Sequence, residues 1–181
     1  MKLVCSRRML NFLEPEKLTD ETPIDFFSWC IDFQMINRRK LVFLMHAQTR
    51  FCVILYGLTK KDFTLAKELF PLAIFETMIF MGYPFPLVRK YCEALGEVTY
   101  SPSKDRKLIA QLYRAVMHAL FYVDDNLSIS SLNQVGLSKQ LNESPVGSNQ
   151  WKIVHFPFEK MEQMLWVWAG IPLAQTGGIK N

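Results

Sequence analysis

Residues 28–56 read SWCIDFQMI (28–36), NRRK (37–40), LVFLMH (41–46), AQTR (47–50) and FCVILY (51–56), and this stretch decides the fold. Over 28–36, Trp29, Ile31, Phe33 and Met35 alternate with Ser28, Cys30, Asp32 and Gln34. That is the two-residue period of a strand with one buried face. Residues 41–46 and 51–56 are apolar at nearly every position, so both of their faces should be covered. The polar connections between the three runs are short enough for antiparallel hairpins. The expectation is a three-stranded meander.

Working outward, Lys2 to Cys5 is a short apolar run, followed by a helical stretch from Arg7 to Leu13 that stops before Pro15. Glu14 to Asp25 reads as an exposed connection. Beyond the meander the period changes. Thr59 is a candidate N-cap with Asp62 at the third helical position, and Leu65, Leu69, Leu72 and Ile79 recur at helical spacing as far as Gly82. Pro71 is expected to kink or split that helix. Pro86 to Leu95 is a shorter helix closed by Gly96. Glu97 to Tyr100 reads as a fourth short strand, and Ser101-Pro102 as the opening of a long helix through Leu108, Leu112, Val116 and Leu120. Residues 127–150 are polar and the least structured part of the reading. A strand over Lys152 to Phe156 and a helix over Pro157 to Trp168 come last. The whole is a single α+β domain over residues 1–170, with a frayed tail over 171–181. Its antiparallel sheet comprises the meander plus one or two short strands, packed by three to four helices.

At 181 residues, 50% of them hydrophobic and 13% aromatic, the chain can bury a single sizeable core, and intrinsic disorder is excluded. The longest uncharged stretch, Gln163 to Ile179, is broken by Gly170, Pro172 and a Gly177-Gly178 pair, so no membrane span is expected. The charges at the N-terminus follow a very short apolar run instead of preceding a longer one, unlike a secretory signal. A cytoplasmic protein is the expectation. Cys5, Cys30, Cys52 and Cys92 stand far apart with no CxxC pair, so buried, reduced thiols are expected, and no metal or cofactor is called for.

Charge is the most informative feature. Residues 33–61 hold six basic side chains (Arg38, Arg39, Lys40, Arg50, Lys60, Lys61) and no acid, while the other 152 residues carry 15 basic against 17 acidic. Antiparallel geometry puts the Arg38 turn and the Lys60 turn at one end of the sheet and Arg50 at the other. Arg38, Arg39, Lys40, Lys60 and Lys61 are therefore expected in one patch suited to phosphates. The other reading of the same residues is a solvated sheet end that guards against edge pairing. Lys104, Arg106 and Lys107 form a second basic cluster at the start of the long helix. There the backbone N–H groups of Ser103 and Lys104 would help bind an anion, unless Asp105 supplies the negative charge itself.

The case for catalysis is thinner. Arg114-x-x-x-His118 has too few intervening residues for the RNase motif of HEPN proteins, which also need an all-helical bundle. Asp124 and Asp125, with Glu97 or Glu93, could hold a divalent cation, but two aspartates before Asn126 are also an ordinary way to leave a helix. Serine elbows, glycine-rich phosphate loops and HExxH are absent from the sequence. Trp166 and Trp168 are two residues apart and cannot share a helix face. Packing on the sheet is the expectation for this helix, with exposure of one ring as a partner surface or dimer contact the other reading.

The chain resembles a bacterial family of small proteins known as a domain of unknown function. The resemblance lies in Ile36-Asn37-Arg38-Arg39-Lys40, in Leu55-Tyr56-Gly57-Leu58 with Lys61-Asp62-Phe63, and in Gly96-Glu97-Val98-Thr99-Tyr100 with Lys104-Asp105-Arg106. It spans roughly residues 1–145. It implies no activity, but it points to Asn37–Lys40, Tyr56-Gly57 and Lys104–Arg106 as the place of a shared function. The leading expectation is a non-enzymatic binding protein. Asn37, Arg38, Arg39, Lys40, Lys60 and Lys61, with Lys104 and Arg106, would engage a phosphate-bearing or acidic partner, nucleic acid or an acidic protein. Two other readings stay open: a homodimer or complex subunit, and a metal-dependent nuclease or phosphodiesterase using Asp124, Asp125 and Glu97.

Overall fold

The computed structural model describes residues 1–19, 23–148 and 153–171. One five-stranded sheet is built from β1 (Lys2–Cys5), β2 (Ser28–Ile36), β3 (Arg39–His46), β4 (Cys52–Tyr56) and β5 (Thr99–Pro102), in the order β4-β3-β2-β1-β5. β2, β3 and β4 form the meander read from the sequence, with Ile36 opposite Arg39 and Met45 opposite Cys52. The sheet is not antiparallel throughout, however. β1 runs parallel to both β2 and β5, because α1 (Arg7–Leu13) and the connection after it carry the chain back before β2 begins, the crossover that parallel pairing requires.

Seven α-helices stand among the described residues, against the three to four expected. They are α1, α2 (Ala66–Phe80), α3 (Phe85–Ala94), α4 (Arg106–Leu120), α5 (Val123–Asn126), α6 (Val135–Asn142) and α7 (Pro157–Trp168). A two-stranded hairpin of β6 (Val146–Ser148) and β7 (Ile153–His155) lies between the last two. Asp62 reaches back to Thr59 as expected, accepting from its N–H at 2.6 Å, but the turn so capped is a 3-10 helix over Lys60–Leu65. α2 follows it and runs unbroken through Pro71, where only the Lys67 carbonyl loses its intrahelical donor. Pro102 ends β5 instead of opening the long helix. α4 starts later because Asp105 is the stronger cap: its Oδ1 accepts from the N–H of Lys107 at 2.8 Å and of Leu108 at 3.2 Å. Of the tail expected to fray, residues 172–181 lie outside the described residues.

Both faces of the sheet are covered, as the unbroken apolar runs of β3 and β4 require. Leu3, Trp29, Ile31, Val42, Leu44 and Val53 pack under α1, α2, α3 and α7. Val4, Cys30, Leu41, Phe43, Met45 and Ile54 pack under α4, α5 and α6. Each such side chain, fully buried, contributes about 1.5–3 kcal/mol. The thiols of Cys5, Cys30 and Cys52 are buried among them and all four cysteines are free. Burial holds the thiols of Cys5, Cys52 and Cys92 at about 12. Trp166 and Trp168 are both half-buried and pack against the core, the expected reading, and neither is an exposed ring. Trp168 leans on Phe26, Phe27 and Tyr91.

The outer edge of β4 is closed by the segment that read as least structured. Asn142 on α6 accepts from the Cys52 N–H at 2.7 Å and donates to the Cys52 carbonyl at 2.8 Å. The Ser138 hydroxyl accepts from the Ile54 N–H. Backbone groups of Gln134 and Leu132 take the Ile54 carbonyl and the Tyr56 N–H. A helix thus satisfies backbone groups that a bare edge strand would offer to another chain.

Candidate functional site

The turn between β2 and β3 is a two-residue hairpin with Asn37 at φ 48° and Arg38 at φ 65°. Both central residues are left-handed, the geometry whose twist suits a tight hairpin and which normally selects Asn followed by Gly. Here Arg38 occupies the position glycine favours. At the same sheet end β4 finishes at Gly57, whose φ of 88° lets the chain turn and donate its N–H to the Lys40 carbonyl at 2.8 Å. The result is a surface depression of about 410 Å³ lined by Arg38, Arg39, Lys40, Gly57, Leu58, Thr59 and Lys60.

Its charges differ in how they are held. Lys40 Nζ lies 4.1 Å from the ring centroid of Phe12 and 5.6 Å from that of Phe33, and the aromatic faces fix the ammonium without neutralising it. Lys60 Nζ meets Glu14 Oε2 at 2.7 Å, both side chains being more than half exposed. The hydrogen bond and charge of Lys60 hold the Glu14 carboxyl below its usual range. Arg38 and Arg39 are exposed and take part in no ion pair among the described residues. Arg8, by contrast, makes a two-pronged contact with Asp32, at 3.1 and 2.9 Å.

Four of the expected residues therefore meet in one depression. Lys61 is exposed beside it without lining it, and Asn37 lines a separate depression with Met35, Leu120 and Asp124. Lys104 and Arg106 line neither of these depressions. Cys5 stands level with both Ile31 and Pro102, which puts the end of β5 roughly 16 Å short of the Arg38 turn and about 10 Å across the sheet. The Asp105 carboxylate occupies the helix end where an anion would have sat. Glu97, one of the candidate metal ligands, is ion-paired with Lys67, while Asp124 lines the depression on the α4–α5 side of the sheet. Among the described residues no three His, Cys, Asp or Glu side chains gather as a metal cluster.

Sequence reasoning missed a larger cavity at the opposite sheet end, about 490 Å³ in volume. α4 presents Gln111, Arg114, Ala115 and His118 to it on one face, and Arg50 enters from the turn before β4. Burial, together with the neighbouring Arg114 charge, lowers the Arg50 pKa. Burial also lowers Lys160 and His155, each with help from Arg50. The signal for this site was present in the i, i+4 spacing of Arg114 and His118, but nothing in the sequence joins that helix to Arg50.

His46 is fully buried beneath the same turn. Its Nε2 donates to the Phe26 carbonyl at 3.0 Å, and its Nδ1 accepts from the Thr49 hydroxyl at 2.9 Å. Burial pushes its pKa down to about 4, so the ring is a neutral structural pin.

Residues 2–160 match a family described as a domain of unknown function, DUF6933. No curated protein and no solved structure matches the chain.

Proposed function

The chain belongs to the DUF6933 family, a domain of unknown function, and from that premise we propose that it is a non-enzymatic binding protein whose basic sheet end engages a phosphate-bearing partner, nucleic acid in the first instance. The observation that carries this reading is the gathering of Arg38, Arg39, Lys40 and Lys60 around one depression, with the Glu14 carboxylate ion-paired to Lys60 and the Asp62 carboxylate taken up by Thr59. That ion pair is exposed and yields readily to a competing anion. Arg38 supports the reading further. It keeps a guanidinium at a left-handed position where glycine would fit without strain, and strain of this kind collects at functional sites. Lys61 extends the patch, whereas Lys104 and Arg106 would meet only a long partner that also crosses the sheet edge. A reducing, cytoplasmic setting goes with this reading, supported by the four free thiols.

The test is an anisotropy titration of labelled single- and double-stranded DNA and RNA at several salt concentrations. Each lost phosphate contact removes about 0.7–0.9 from the slope of log affinity against log salt. The double variant Arg38→Glu, Arg39→Glu should therefore flatten the slope by about 1.5 and weaken binding at low salt. Affinity and slope unaffected by that reversal would dismiss the proposal.

A second reading, a subunit that associates through apolar surface, has one observation in its favour. Tyr113 and Met117 on α4 and Phe121 at its C-cap follow at four-residue intervals and are 58%, 42% and 79% exposed. Light scattering across protein concentrations separates it from a monomeric binder.

A further inference from the structure

We infer that the cavity between α4, the turn preceding β4 and the α6–β6 connection is a binding site for a small organic anion, a carboxylate or phosphate head on an apolar body. The inference stands apart from the basic sheet end, since the two sites lie at opposite ends of the meander. Arg50 and Arg114 both line this cavity, burial and the Arg114 charge lower the Arg50 pKa, and neither guanidinium meets a carboxylate among the described residues. Arg8, Lys60, Lys67, Arg89 and Lys139, by contrast, each pair with an acid. Among the described residues no acidic side chain lines the cavity. Bringing cations together around a concave, partly dry surface is unfavourable unless an anion completes it.

Arg50 shows how the site is prepared. It sits at φ 64°, a left-handed conformation that a long side chain adopts only at some cost. Its Nη1 donates to the Gly147 carbonyl at 3.0 Å, which ties the guanidinium to the β6 strand and fixes its direction. A guanidinium carries five N–H donors, and only this one is used among the described residues. Arg114, whose Nε donates to the Ala110 carbonyl of its own helix, stands at the rim. Two planar forks from different elements are thereby offered to one volume, the arrangement that recognises carboxylate and phosphate oxygens.

The rest of the lining describes the body of the ligand. Met45, Cys52, Ala115 and Leu141 supply an apolar floor, and Gln111 and Ser144 add uncharged polar groups. A volume of about 490 Å³ lies within the range of pockets that hold small organic molecules. A free inorganic ion would use the cations and leave the floor without a partner. An organic anion uses both.

The experiment titrates the full chain with 1-anilinonaphthalene-8-sulfonate, an apolar sulfonate that brightens on leaving water, and then displaces it with phenyl phosphate or with benzoate. Saturable binding of one probe per chain is expected, and displacement by either compound supports the site and identifies the preferred head. Arg114→Gln should weaken probe binding at least tenfold, the loss of one charge-assisted contact, while leaving the melting temperature in place because Arg114 is exposed. The Arg38→Glu, Arg39→Glu protein should bind the probe as the parent does, so the two sites stand or fall separately. Equal affinity in the parent and in Arg114→Gln, or displacement by neither compound, overturns the inference.

Discussion

Acidification should destabilise this protein chiefly through His46. In the folded chain the ring is buried, its Nε2–H is committed to the Phe26 carbonyl and its Nδ1 lone pair to Thr49. Desolvation is the dominant effect on its pKa; the Phe26 carbonyl and Asp25 oppose it, and Lys160 reinforces it. The folded pKa falls from 6.5 to about 4, so the unfolded chain takes up a proton from pH 6.5 downward while the folded chain resists until near 4. The unfolded state therefore binds more protons in that window, and stability present above pH 7 drains away as the pH falls. The difference amounts to about 2 kcal/mol at pH 5 and about 3 kcal/mol below pH 4. Urea denaturation followed by circular dichroism at pH 7.5 and 5.0 measures it, with His46→Gln as the reference. That variant should be less stable at both pH values because it loses the paired hydrogen bonds, but its stability should fall by about 2 kcal/mol less between them. Identical pH dependence in the two proteins would refute the reasoning, since every other titrating group is common to both.

Two further outcomes are expected. Asn142→Ala removes both partners of Cys52 at the β4 edge and leaves a buried N–H and carbonyl unpaired, so chemical denaturation should show a loss of about 2–3 kcal/mol. Arg38→Gly should raise stability: relief of the left-handed strain is worth about 1–2 kcal/mol and glycine's extra chain entropy returns about 0.5–1, so a gain near 0.5–1 kcal/mol in urea, with weaker polyanion binding, is the expected pair of results.

The meander was readable because its information is local. Residue alternation over Ser28–Ile36, two doubly apolar runs and two short polar connections specify strands, faces and pairing with little reference to the rest of the chain. The helix over Pro157–Trp168 and the capping role of Asp62 were legible for the same reason. The long helix was misplaced at its start because Ser101-Pro102 and Asp105 both carry opening signals. Only the pairing of Thr99–Pro102 with β1 shows which one the chain uses. β1 is four residues long, and nothing in so short a run tells a parallel neighbour from an antiparallel one.

The candidate sites divide in the same way. Arg38, Arg39, Lys40 and Lys60 could be placed together from sequence, since two hairpin connections of one meander must emerge at a common sheet end. Arg50 and Arg114 could not, for they come from a turn and from a helix far along the chain, and their meeting depends on how α4 and α6 pack against the sheet. By itself the sequence determined the strand periods, the covered faces and one cluster of charge, because each arises from residues close along the chain. Tertiary structure alone decided the mixed sheet, the closure of the β4 edge by Asn142 and Ser138, and the electropositive cavity, because each joins residues whose separation in sequence carries no record of their contact.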